Sequence, residues 1–257
     1  MGISSNLVGE KQTLIHVIDI MTKRLHVLQE KNDYRQVFQR VYLLMTKEMQ
    51  LRIESGFFRD PIWMERVLVK FAHYYFNAND AFESGESCSP AWDLAFRFAE
   101  EKRGFVLQDA LLGINAHINS DLPFVLHNIL AEDNVWPDAQ LMMSRRKDHE
   151  LINDVLADLI DLVQDELVRH YARLIRPIDY LMGNKDESLA SFFLAHCRTK
   201  VWYDTQLMLE ALDEEQRNVH RKRIENEALK FGLQVADIRP FRFTKMLAPF
   251  TRRVRWF

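Results

Sequence analysis

The stretch LLGINAHINSDLPFVL, residues 111–126, is an apolar run set with the polar side chains Asn115, His117, Asn119, Ser120 and Asp121. Laid out from Leu107 at about 100° per residue, as an α-helix requires, it places Leu107, Ala110, Leu111, Ile114 and Ile118 on one face. His117 and Asp121, one helical turn apart, fall on that same face, whereas Gln108, Asn115 and Asn119 fall on the other side. A helix with this pattern buries its apolar face among other helices. A carboxylate there needs a partner, because an unpaired buried charge costs several kcal/mol.

Two readings of this polarity follow. In the structural one, Pro123 clashes with a continuing helix and pushes Leu122 out of helical dihedrals. Asp121 then caps a new helix beginning at Leu122, and His117 is a core histidine. In the functional one, His117 and Asp121 either bind a divalent metal with a third ligand from His73, Asp148 or His149, or Asp121 orients His117 as a general base in an apolar pocket. The HxxxD spacing alone is a weak motif.

Outward from this centre, the chain reads as a succession of helices. Residues Leu14, Ile18, Met21, Leu25 and Leu28 mark a first helix over roughly 6–30. A second, capped by Asn32 or Asp33, ends near Gly56. Asp60 followed by Pro61 opens a third, running to about Phe82 with Trp63, Val67, Phe71, Tyr74, Ala78 and Phe82 on one face. His73 and Asp80 lie off that face. Ser89 and Pro90 start another helix, and the quoted stretch follows Gly104. A long helix is expected from about Asp148 to Ile175, with Ile152, Val155, Leu159 and Val163 inward, and Asp148 at its N-terminal end. Asp154, Asp158, Asp161 and Asp165 lie opposite that face and read as a solvated row, not a metal motif. A further helix spans about Glu187 to Leu212, and 213–231 is helical in propensity. No strand-like alternation persists beyond four residues, and no solenoid repeat or low-complexity segment is present. The expected fold is all-α, one bundle of about eight or nine helices over residues 1–237.

Composition agrees. In 257 residues there are only 8 glycines and 7 prolines, so loops are few and short. The net charge of −3 implies no strongly charged partner for the chain as a whole, and no specific nucleic-acid partner is expected. The two cysteines, Cys88 and Cys197, have no metal or CxxC spacing and fit a reducing compartment. The N-terminal residues lack an apolar signal core, Asn6 breaks a myristoylation pattern at Gly2, and no apolar run is long enough for a membrane span. The expected location is cytoplasmic.

In the helix around HCRTKVWYDTQLML, Arg198 falls among Leu194, Val201, Thr205 and Leu209, with Trp202 one turn on and within stacking reach. An arginine on an apolar face calls for a carboxylate, for which Asp121 is the natural candidate, or for an anionic ligand.

The segments FFRDPIWMERVLVKFAHYYF, AWDLAF, VLQDALLGINAHINSDL and CRTKVWYDTQLML together resemble a bacterial all-helical family of unassigned function, over roughly Tyr34 to Leu212. The most specific element is LLGINAHINSDL, in which Asn115, His117, Asn119 and Asp121 match the family pattern. At Tyr74 that pattern has arginine, so no role tied to that arginine carries over. The resemblance implies the fold and the site residues but supplies no reaction.

From Arg239 to Phe257 the chain has six basic residues, no acids, and Phe241, Phe243, Phe250, Trp256 and Phe257 interleaved. Residues 238–257 are read as a basic aromatic tail that packs its aromatics on an acidic body. The competing reading is peripheral contact with a membrane surface or contact with nucleic acid, the latter without sequence specificity. The combined expectation is an enzyme with an apolar pocket for a hydrophobic, anionic small molecule. His117 and Asp121 are its proton-transfer pair, and Arg198, Trp202, Asn115, Asn119 and His73 surround the ligand. No organic cofactor motif is present. The rival expectations are a metal-assisted hydrolase-like bundle, and a non-catalytic helical module that binds a ligand or partner.

Overall fold

The computed structural model describes residues 13–171 and 185–238, with 185–193 as backbone only. Nine α-helices lie among the described residues: α1 (Leu14–Glu30), α2 (Gln36–Glu54), α3 (Pro61–Ser84), α4 (Pro90–Glu100), α5 (Val106–Asn115), α6 (Leu122–Glu132), α7 (Ala139–Tyr171), α8 (Lys185–Glu210) and α9 (Glu214–Ala236). The architecture is an all-α bundle. The proposed tail at 239–257 and the expected first turns of the N-terminal helix lie outside the described residues. Among those described, no helix is long and apolar enough to cross a membrane.

Several helix starts follow local chemistry. Asp60 accepts from the Trp63 amide at 2.9 Å, with Pro61 in the first turn of α3. Thr13 caps α1 and Asp213 caps α9 in the same manner. Neither Asn32 nor Asp33 caps α2. The residue before that helix is Arg35, and Asp33 accepts from its amide and guanidinium instead. The long helix α7 starts at Ala139, immediately after Asp138, whose side chain accepts from the Leu141 amide. Asp148 therefore sits inside a helix and does not start it. Fully buried, it accepts from the backbone amides of Arg59 and Asp60, each at 2.9 Å, and so ties α7 to the start of α3.

The quoted stretch is the centre of the bundle. Between α5 and α6 the chain does not break. Residues Ala116–Asp121 form a π-helical segment, and the Leu122 amide donates to the His117 carbonyl, five residues back. This corrects the expected new start at Leu122, which keeps helical dihedrals (φ −59°, ψ −37°), and Asp121 makes no capping bond. The physical reason lies in Pro123, which has no amide hydrogen to give and a ring that would strike the carbonyl four residues back. Widening the preceding turn accommodates both without ending the helix.

The α5–π–α6 rod packs against α2, α3, α4, α8 and α9. With so many neighbours, the face carrying Asn115 and Asn119 is covered at Asn115 and part-covered at Asn119. Asn115 is buried and donates to the Ala228 carbonyl of α9 at 2.9 Å, while its side-chain oxygen accepts from Asn119 at 3.0 Å. Gly113 lets α5 approach α2 closely, since a Cβ there would meet the Phe38 ring at 2.4 Å. The acids Asp154, Asp158, Asp161 and Asp165 are exposed, as their spacing predicts.

Candidate functional site

The face of α5 read as the core face in fact lines a cavity. Leu107, Leu111, Ile114 and Ile118 are only part-buried, and with side chains from α2, α3, α6, α7, α8 and α9 they enclose about 270 Å³ of almost wholly apolar walls. Its few polar residues include Asn115, His117, Asn119, His149 and Arg198.

The π segment turns His117 and Asp121 inward together. The His117 Nδ1 lies 3.2 Å from Asp121 Oδ2, and the Trp92 indole of α4 donates to the same oxygen at 2.8 Å. Both residues are buried, at 3% and 4% exposure. The imidazole stacks flat on Phe71 at 3.4 Å between centroids, meets Tyr42 edge-on at 4.3 Å, and has Phe38, Tyr75 and Trp92 around it. Its Nε2 is buried without a hydrogen-bond partner.

Burial drives both members of the pair toward neutrality. It holds His117 well below the usual histidine range and lifts Asp121 well above the usual carboxylate range, against the lowering effect of the Trp92 hydrogen bond. The two shifts favour one net-neutral state, with a proton between Nδ1 and Oδ2 and the second ring hydrogen on Nε2. Burial opposes both the ionised Asp121 that a general base would start from and the ionised Asp121 that would remain once Nε2 had given a proton and Asp121 had replenished Nδ1.

Arg198 does not pair with Asp121. Its Nε donates to Asn153 Oδ1 at 2.9 Å, and its Nη2 donates to the His149 carbonyl at 2.5 Å and to His149 Nδ1 at 3.1 Å. The His149 Nε2 in turn donates to the Arg198 carbonyl at 3.0 Å, so its hydrogen sits on Nε2 and the ring is neutral. The expectation of an Arg198–Asp121 ion pair fails because the two side chains leave their helices toward different partners. Trp202 is buried against the His149 ring at 5.4 Å, does not stack on the Arg198 guanidinium, and is not on the cavity wall.

His73 is half-buried, with Phe76 edge-on to it, and does not line the cavity. Asp148 is committed to the Arg59 and Asp60 amides and His149 to Arg198, so neither shares a ligand set with the His117–Asp121 pair. Among the described residues no group of three His, Cys, Asp or Glu side chains is arranged to hold a metal ion. Cys197 is on the cavity wall, but burial pushes its thiol up to about 11, so it is not a thiolate at neutral pH.

Two buried polar side chains escaped the sequence reading, one at the site and one away from the cavity wall. Trp92 was visible only as part of an apolar helix, although a buried indole needs an acceptor, and Asp121 supplies it. Asp109, on α5, is 5% exposed, both its oxygens lack partners, and burial lifts it to about 8. The small residues Gly113 and Ala116, one and two turns on, were the available signal of the tight packing that buries it.

Fold and site together define an all-helical bundle with an internal apolar cavity bordered by His117, whose imidazole is held from behind by Asp121. The chain belongs to the Family of unknown function (DUF5995), which it matches over residues 14–237. No curated protein and no solved structure matches it.

Proposed function

We propose that this protein binds a small, predominantly apolar molecule in the central cavity, and that His117, backed by Asp121, exchanges a proton with it. The observation that carries this reading is the unpartnered Nε2 of a neutral imidazole beside an apolar cavity of about 270 Å³. A buried donor without an acceptor costs about 1–3 kcal/mol, and a carbonyl or hydroxyl oxygen on a bound molecule would remove that cost. The π segment supports the reading, since such insertions sacrifice regular hydrogen bonding and concentrate at functional sites. Reaching Nε2 requires the Phe71 and Tyr42 rings to shift, because they cover the imidazole.

That aromatic packing favours a second reading, in which the cavity binds its ligand without chemistry and the His–Asp pair sets the register of the π segment. One experiment separates the two. Thermal stability is measured with indole, 2-naphthol and 2-acetylnaphthalene, and the ¹⁵N shift of His117 Nε2 is followed for any binder. Stabilisation by an oxygen-bearing probe together with a shifted Nε2 resonance is the expected result. Stabilisation with an unchanged Nε2 leaves only the binding reading, and no stabilisation by any probe overturns both.

A further inference from the structure

We propose that the cavity is built for an apolar monocarboxylate, with Arg198 as the receptor for its carboxylate. This rests on the cavity being a ligand site, as proposed above, and adds the charge and class of the ligand.

The argument starts from a contrast among the buried arginines. Arg35, Arg40 and Arg145 have side chains 9%, 11% and 11% exposed, and each holds a carboxylate: Asp33 and Glu83, Glu166, and Asp60 respectively. Taken as whole residues, those three are part-buried and Arg198 is buried, yet among the described residues no carboxylate lies within ion-pair distance of it. Its partners are an amide oxygen, a backbone carbonyl and a neutral imidazole nitrogen, and nothing among the described residues accepts from its Nη1. Neutral acceptors orient a guanidinium but do not cancel its charge. Burial lowers the group only to about 9, so Arg198 is cationic at neutral pH.

Arg198 and its partner His149 border the same cavity as His117. The cluster of Arg198, His149 and Asn153 carries a single positive charge, because His149 is neutral by its hydrogen bonding. One buried positive charge is balanced by one negative charge, which selects a monoanion over a phosphate dianion. A planar carboxylate also matches the planar fork of a guanidinium. The remaining walls are apolar and fix the rest of the ligand. On the scale by which an apolar cavity of about 150 Å³ takes benzene, about 270 Å³ takes an apolar body of roughly ten carbon atoms.

The test compares decanoate, 1-decanol and decylammonium by calorimetry at pH 8 on the full chain. Decanoate is expected to bind at least about tenfold more tightly than decanol, and decylammonium not to bind. In Arg198→Gln the acid is expected to fall to the level of the alcohol while decanol affinity is kept, and Arg198→Lys should retain part of the preference. A measurement on the unaltered protein guards against a variant that does not fold: the carboxyl of ¹³C-labelled decanoate is titrated in the complex. Beside a guanidinium its pKa lies below that of free decanoate, whereas in an apolar cavity without the cation it lies above. Equal binding of acid and alcohol, or a raised carboxyl pKa, overturns this inference and leaves the cavity reading standing. Binding of none of the three probes overturns both.

Discussion

Asp109 offers the most quantitative check on the bundle interior. Its carboxyl lies on α5 beside a void of about 10 Å³, room for about one water molecule, bordered by Tyr34, Arg35, Phe38 and Gly113. Arg35 is spent on Asp33, Glu83 and Asn79, so it does not neutralise Asp109. Tyr171, also near Asp109, has its hydroxyl on Gln36 and Arg40. Burial alone lifts Asp109 from 3.8 to about 8. The native state therefore holds a proton that the unfolded chain releases between those values, and stability falls as pH rises from about 4 to about 8. Below 4 the cost is absent, and above 8 it is complete. From pH 5 to pH 9 the loss spans about three pH decades at about 1.36 kcal/mol each, an upper limit of about 4 kcal/mol. Asp109→Asn keeps the shape and removes the charge. Urea unfolding of both proteins at pH 5, 7 and 9 is the assay. The variant's stability relative to the original is expected to climb by about 2–4 kcal/mol across that range, the lower end allowing for relaxation around the charge. A difference that stays flat within about 0.5 kcal/mol, about the tolerance of such comparisons, would show that Asp109 ionises as a solvated carboxylate and would refute the reasoning.

Other substitutions test other parts of the structure. Gly113→Ala pushes a methyl group into the Phe38 ring and is expected to cost about 1–3 kcal/mol, read as a lowered unfolding midpoint; an unchanged midpoint would mean that α2 and α5 are not in close approach. Asp148→Ala strands the amides of Arg59 and Asp60 and should cost about 2–4 kcal/mol, with hydrogen exchange at those two amides speeding up as its local signature. Trp92→Phe removes the indole donor that opposes the burial of Asp121, so the carboxyl should titrate at still higher pH, as followed by its ¹³C resonance; no change would take Trp92 out of the site.

The all-α class, the order of the helices and most of their faces were legible in the sequence, because helical periodicity and proline or aspartate starts are local facts. The proximity of His117 to Asp121 followed from a spacing of one turn. The environment of the pair did not follow. The sequence showed an apolar face that had to be covered, but not that its cover stands back far enough to leave a cavity. Nor did it show that Asn115 bonds to the Ala228 carbonyl of α9 and holds Asn119 through its side-chain oxygen. Pro123 signalled a break by local rules, and the surrounding helices hold the rod together through a π turn instead. Partner choice was the least accessible. Arg198 was expected on Asp121, yet His149 and Asn153 of α7 take it, while Trp92 of α4 takes Asp121. Periodicity assigns a side chain to a face of its own helix. Which side chain it meets depends on how helices far apart in sequence cross, and that is set by the packing of the whole core.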